Sequence, residues 1–180
     1  MAVSARNQLT GTVSAVAMGA VNDEVELTLA GGAKLVAIVT HSSQQALGLA
    51  KGKEAIALIK APWVTLATED CGLKFSARNQ FAGSVSTITE GAVNATVHIK
   101  TDAGFEIVAV VTNESQDEMK LTTGSRVIAL IKAISHPDCH QSVSAVFAGE
   151  YGSPADLFLW TIFFWQLRHR TLVIDEMTHG

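Results

Sequence analysis

The sequence predicts a mainly β fold in which two small five-stranded barrels follow one another, each with one short helix. The first observation is an internal repeat: Ser4–Gln8 returns as Ser76–Gln80, an offset of 72 positions (76 − 4). The same offset, without a gap, makes about half of the paired positions between residues 4 and 61 identical, which is far beyond chance. The second is that both copies consist mostly of short strand-like runs, with one helix-like segment each.

The first copy supplies its elements in a fixed order. The predicted elements are strands at residues 12–17, 23–30, 34–39 and 54–60 and a helix at residues 41–49. Met18–Asn22 is a turn candidate, Gly31-Gly32 a hairpin connection, and residues 61–67 a natural closing strand for this copy. Because one small helix follows the third strand, the scheme is typical of a barrel of the oligonucleotide/oligosaccharide-binding (OB) type.

The second copy repeats this scheme, with Thr112 opening a helix over residues 113–121. Residues 67–73 form the linker, in which Glu69, Asp70 and Gly72 favour a turn. The predicted domains are a first module at residues 1–70, a second module at residues 71–133 and an unassigned tail at residues 134–180.

Composition narrows the class of protein. The chain has 180 residues, 48% hydrophobic and 17% charged, which favours a globular fold. The net charge is −4 and no cluster of Lys and Arg occurs, so we expect no nucleic-acid partner, and the repeats also lack the aromatics that an oligonucleotide-binding barrel would use. Two cysteines, no secretory signal and no apolar run of about 20 residues predict a cytoplasmic protein without a membrane span.

Three segments in each copy carry polar groups that neither a core nor a turn requires. Ser4 and Arg6 share one strand face, Thr40 and Ser43 lie at the N-cap and third position of the helix, and Lys60 ends an apolar strand. Their equivalents in the second copy are Ser76, Arg78, Thr112, Ser115 and Lys132. Taken singly, each has an ordinary explanation: a solvated edge strand, a helix-capping hydroxyl, and a lysine whose ammonium reaches water.

Together these groups give each copy a guanidinium, an ammonium, three hydroxyls and a helix start. That set suits a compact dianion with four acceptor oxygens, since charge-assisted hydrogen bonds are the strong ones. Neither a repeated Ser/His/Asp or Cys/His set nor a phosphate loop occurs. The pattern therefore predicts a binding protein, not an enzyme.

Four motifs, each present twice, carry a resemblance to a known family. Ser-Ala-Arg-Asn-Gln, Gly-Ala-Val-Asn, Val-Thr-x-x-Ser and Ile-Lys-Ala, in this order and spacing, resemble the molybdenum-pterin-binding (Mop or TOBE) module of molbindins. The doubled module, over residues 3–133, resembles two-domain molbindins and the C-terminal half of molybdate-responsive transcription regulators.

The resemblance implies molybdate, with tungstate as an analogue, bound at interfaces between modules of a homo-oligomer, a trimer being favoured. The implied ligands are Ser4, Arg6, Thr40, Ser43, Lys60 and the backbone of Ala61, and then Ser76, Arg78, Thr112, Ser115, Lys132 and the backbone of Ala133. Asn22 and Asn94 are placed near a possible second type of anion site. No bare metal cation is implied. The implied role is storage and homeostasis of molybdate; the alternative is an anion sensor that acts through a protein partner.

The tail after Ala133 breaks the pattern. Residues 134–140 do not match a closing strand, and three interpretations stay open. The tail is an added helix over residues 154–169, a surface for a partner or membrane, or out-of-frame sequence that replaced the closing strand. His136, Cys139 and His140 form either a weak soft-metal motif or a polar loop.

Overall fold

The computed structural model describes residues 4–133 and, as backbone, residues 145–148; the soft-metal motif and the expected helix of the tail lie outside this part. The described chain forms ten strands in two five-stranded sheets, with two α-helices. The first-module elements are β1 (Asn7–Ala17), β2 (Asn22–Leu29), β3 (Lys34–Thr40), α1 (His41–Ala46) and β4 (Glu54–Ile59). They are followed by β5 (Thr65–Thr68), β6 (Asn79–Glu90), β7 (Asn94–Thr101), β8 (Glu106–Thr112), α2 (Asn113–Glu118), β9 (Arg126–Ile131) and β10 (Ala145–Ala148). The predicted mainly β fold, with one short helix in each module, is confirmed.

Alternating apolar residues build the core. Along β2, Val25, Leu27 and Leu29 are buried while the residues between them are only partly covered, which is the period of two expected for a sheet with one core face. One continuous hydrophobic cluster contains buried side chains of both modules. Its aromatic pair, Phe81 and Phe105, packs edge to face at 5.3 Å between ring centroids. Among the described residues, no helix is long and apolar enough to cross a membrane.

Both helices are shorter than predicted. The helix of the first module ends at Ala46 and that of the second at Glu118. Gly48 and its repeat equivalent Lys120 adopt left-handed backbone conformations, with φ of 59° and 48°, which stops the helix in the same way in both modules. Both predicted helices ran past these stops, and in the second module the composition gave no signal for one, because Lys rarely adopts positive φ.

Strand order reveals an exchange between the modules. The sheets are ordered β10-β4-β1-β2-β3 and β5-β9-β6-β7-β8. Strand β5, which follows the first module in sequence, pairs antiparallel with β9 of the second, with Thr65 opposite Leu130. The prediction that residues 61–67 close the first copy is therefore wrong. Instead, the four tail residues of β10 take the closing position in the first sheet. Strand β10 pairs with β4, with Ala145 opposite Leu58.

The duplication itself explains this error. The segment Ile56–Ala61 is identical to Ile128–Ala133, so the open edges of β4 and β9 present almost the same partner to a closing strand. What distinguishes them is the chain direction after β4. A 3-10 turn at Ala61–Trp63, with Pro62 fixing φ near its start, carries the backbone towards the second module. Local sequence similarity cannot predict which of two equal edges is used.

Two buried asparagines connect the modules reciprocally. Asn79, beginning β6, donates from Nδ2 to the carbonyl of Val36 at 2.8 Å and accepts from the Val36 N–H at 2.7 Å. Asn7, beginning β1, makes the same two bonds to Val108, at 2.8 and 2.7 Å. Val36 and Val108 lie on β3 and β8, which are the edge strands of the two sheets. Each side-chain amide thus acts as one extra peptide unit on the other module's open edge.

Residues distant in sequence also meet in an exposed network around Arg126. Its guanidinium donates to Asp102 at 2.7 and 2.8 Å and to Glu69, in the linker, at 3.0 and 3.2 Å. These bonds lower the pKa of both carboxyl groups below their ordinary values. The network ties the linker to β9 and to the turn after β7.

The asparagine contacts lead to a stability prediction. Asn7→Ala leaves the buried N–H and carbonyl of Val108 without partners, and Asn79→Ala does the same to the partly buried N–H and carbonyl of Val36. Each should lower the free energy of unfolding by about 1–3 kcal/mol, with Asn79→Ala towards the lower end. Urea denaturation measures this change. Gln8→Ala is the control, because Gln8 is exposed and its side chain bonds only locally, to the Ala5 carbonyl. Equal stability of the Asn79 and Gln8 variants would contradict the assigned role.

The Arg126 network leads to a pH prediction. Because the folded-state pKa values of Glu69 and Asp102 lie below the ordinary 4.5 and 3.8, the stabilisation is complete above those values and is lost as the pH falls through the lowered ones. Arg126→Ala should therefore lower the Tm at about pH 7, and the difference from the parent protein should shrink towards about pH 2. Lys100→Ala is the control, because it also removes one positive charge but Lys100 has no ion pair among the described residues. A Tm difference independent of pH would refute the network's role.

Candidate functional site

Each helix begins with a pair of bonded hydroxyls. Thr40 Oγ1 accepts from the backbone N–H of Ser43 at 3.2 Å and donates to the Ser43 hydroxyl at 2.8 Å. In the second module, Thr112 makes the same two bonds to Ser115, at 3.1 and 2.9 Å. The predicted N-cap positions are confirmed, and both threonines remain exposed. Since each helix has only six residues, its dipole is small, and the hydroxyl groups are the chemically useful feature here.

The cationic segments of the second module lie against the first module's third strand. Asn79, whose amide holds Val36 of β3, directly follows Arg78. The carbonyl of Ala133, which follows Lys132, accepts from the N–H of Ile38 on the same strand at 2.7 Å. Thr40 is two residues beyond Ile38, about 7 Å along the strand. The first interface thus joins the hydroxyls of module one to the arginine and lysine segments of module two.

The second interface has the reciprocal composition. Asn7 follows Arg6 and holds Val108 of β8, the strand that ends at Thr112. The 3-10 turn that begins at Ala61, next to Lys60, also contacts β8. The sequence grouped the candidate residues by repeat. In the structure, the hydroxyls of each module lie at the end of an edge strand, and that strand contacts the arginine and lysine segments of the other module.

The four cationic side chains are in different states. Arg78 donates from Nη1 to Glu24 Oε2, an ion pair between the modules. Lys60 lies over the ring of Trp63, with Nζ 5.3 Å from its centroid. Within the described residues, Arg6 and Lys132 have no carboxylate partner. Ser4 and Ser76 are exposed, each two residues before the arginine of its motif.

The asparagines assigned to a possible second anion site lie close to the helix starts. Asn22 is exposed and pairs in antiparallel register with Thr40, and Asn94 pairs in the same way with Thr112. Directly opposed residues of two strands have Cβ atoms about 5 Å apart. Any ligand held by the threonine hydroxyls would therefore also be near the asparagine amides. Binding of an anion by Asn22 or Asn94 remains a prediction.

Sequence reasoning missed a side-chain pair that fixes the first helix start. Asp23 is fully buried, accepts from the N–H of Gly19 at 3.1 Å, and lies 2.9 Å from Nδ1 of His41, the first residue of α1. The second module uses other residues for the same purpose, because Asn113 donates to the Gly91 carbonyl at 3.0 Å. Both arrangements fasten the Gly-Ala-Val-Asn turn to the helix start. The alternation of β2, which places Asp23 on the core face, was the available signal.

The described residues contain no cluster of three His, Cys, Asp or Glu side chains that could hold a metal ion. The candidate groups are hydroxyl, amide, guanidinium and ammonium donors, which bind an anion through hydrogen bonds and charge.

Comparisons with known proteins agree with this chemistry. The family model for the TOBE domain matches residues 3–66 and 76–135. The molybdenum transport protein ModE of Herbaspirillum seropedicae is 41% identical over 133 residues, covering 74% of this chain and 49% of ModE. The molybdenum-pterin-binding protein MopA of Rhodobacter capsulatus is 42% identical over 133 residues, covering 74% and 50%. The chain thus spans about half the length of these relatives.

Among solved structures, the cytoplasmic molybdate-binding protein ModG with molybdate bound superposes with a TM-score of 0.75 and 46% sequence identity. The match covers 83% of this chain and all of the ModG chain. These relatives are molybdate-binding and molybdenum-transport proteins of the TOBE type, not enzymes.

Proposed function

The chain is a member of the TOBE-domain family, and from that premise we propose that it binds molybdate at the two interfaces between its modules. Molybdate is a tetrahedral dianion whose four oxygens accept hydrogen bonds. ModG is similar to 83% of this chain, and its solved structure has molybdate bound. We expect tungstate, with the same shape and charge, to bind in its place.

The observation that carries the proposal is the reciprocal division of the donor groups. At each interface, the edge strand that leads to a helix-start hydroxyl pair of one module contacts segments of the other module that adjoin an arginine and a lysine. Two cationic groups balance the charge of a dianion, and neutral hydroxyls complete its hydrogen bonds. At Ala133 the N–H is the group available to an anion, because the carbonyl accepts from Ile38.

The assignment divides the ligands by interface. The first would use Thr40 and Ser43 with Ser76, Arg78, Lys132 and Ala133; the second would use Thr112 and Ser115 with Ser4, Arg6, Lys60 and Ala61. Asn22 and Asn94, opposite the two threonines, would lie next to these sites.

We further propose a homo-oligomer, with three copies favoured. Val21 and its repeat equivalent Val93 are exposed to 72% and 69%, and each carbonyl accepts from the first N–H of the adjacent helix. In the proposed oligomer, these two exposed apolar side chains would be covered by another copy. Assembly around the sites would then strengthen anion binding, since each stabilises the other.

In the cell, this chemistry supports storage and homeostasis of molybdate in the cytoplasm, the location named for ModG. No contact within the described residues specifically favours the sensor alternative.

Calorimetric titration with molybdate, tungstate, sulfate and phosphate tests the function. Arg6→Ala and Arg78→Ala should each weaken molybdate binding at one interface about tenfold or more, because a charge-assisted hydrogen bond is lost, and the double variant should weaken both. Arg126→Ala is the matched control, since it removes a guanidinium whose carboxylate partners, Glu69 and Asp102, are not among the proposed ligands. Normal molybdate binding by the double variant, or sulfate binding as tight as molybdate binding, would contradict the proposal.

A further inference from the structure

One charged residue that differs between the two interfaces is bonded to a candidate ligand. Arg78 is ion-paired with Glu24 of the first module's second strand. The repeat offset of 72 maps Arg78 onto Arg6 and Glu24 onto Thr96, which has no charge. Arg6 correspondingly has no carboxylate partner in the described chain. Among the described residues, the first interface thus has an ion-paired arginine and the second an arginine without a carboxylate partner.

Glu24 lies inside the first interface, not beside it. On β2 it pairs in register with Ile38, whose N–H binds the Ala133 carbonyl. The same short stretch of β3 leads to Thr40. A dianion held there by Arg78 and Lys132 would face the Glu24 carboxylate at close range, and like charges at that distance repel.

We propose that Glu24 is a built-in competitor for the anion: it holds Arg78 in the ligand-free protein and makes the Arg78 interface the weaker of two inequivalent sites. This inference rests on the proposed function. An incoming dianion takes the Arg78 guanidinium only as the ion pair opens, whereas at the other interface Arg6 binds without such an exchange. A chain with two nearly identical modules would then respond to molybdate over a wider concentration range than one class of sites allows.

The exposure of the pair sets the size of the effect. The side chains of Arg78 and Glu24 are 56% and 35% exposed, so water screens their attraction. Exposed ion pairs are weak, and opening one corresponds to a loss of about two- to fivefold in affinity. For the same reason, removal of the pair should leave the fold intact. Repulsion between the freed carboxylate and the bound dianion also lowers the anion affinity of this interface.

The duplication provides the substitutions for the test. Glu24→Thr gives the first interface the residue found at the second, and Thr96→Glu does the reverse. Glu26→Thr is the control: it removes the same charge two residues along β2, but Glu26 bonds to Lys34 and Ser14 instead of Arg78. Each variant is titrated with molybdate by calorimetry at about 0.1 M salt, where charges beyond about 10 Å are screened, and thermal unfolding verifies its fold.

Wild type should show two classes of site in equal number. Glu24→Thr should tighten the weaker class about two- to fivefold, Thr96→Glu should weaken the tighter class by a similar factor, and Glu26→Thr should change neither. Wild-type affinities in Glu24→Thr, or the same shift in Glu26→Thr, would overturn the role of Glu24 while leaving molybdate binding in place. Absence of molybdate binding in wild type would overturn the proposed function and this inference together.

Discussion

The side-chain amides of Asn7 and Asn79 are the contacts on which the arrangement of the modules depends. Each is almost fully buried and satisfies both backbone groups of one residue on the opposite edge strand. A buried peptide group without a partner is costly, so an open strand edge needs such a contact wherever water is excluded. Since each asparagine directly follows an arginine of the same motif, the contact that joins the modules also fixes the backbone next to that arginine.

Strand exchange supports the same geometry. Because β5 leaves the first module and completes the second sheet, the Ala61–Trp63 turn lies against β8, and Lys60 is carried with it. One continuous segment, from Lys60 through β5, thus supplies part of the second interface and the closing strand of the second sheet. This explains how modules with packed cores can offer a polar site: the donors come from the edges and ends of strands, where the two modules meet.

The duplication gives two interfaces that are built from equivalent elements but differ in charge. The asparagines, threonines and hydroxyl pairs repeat at the offset of 72, and so do the β-bulges between Val13 and Ala15 and between Val85 and Thr87. Glu24 and His41, by contrast, have Thr96 and Asn113 as equivalents. The interfaces therefore differ in the second group of residues.

The repeat, the strands and both N-caps could be predicted from the sequence, because periodicity and capping are local properties. The partner of β5 could not be predicted, since the edges of β4 and β9 have almost the same sequence. Nor could the pairing of Arg78 with Glu24, which joins residues 54 positions apart on different modules. Asn7 was visible within its motif, but its role depends on which strand edge faces it, and that is a tertiary property.

The most direct test of molybdate binding between modules is anomalous diffraction at the molybdenum edge from crystals grown with molybdate. The account predicts anomalous peaks at the two interfaces, each between a Thr-Ser helix start of one module and the arginine and lysine segments of the other. Peaks only within a single module, or none at these interfaces in crystals that contain molybdate, would contradict it.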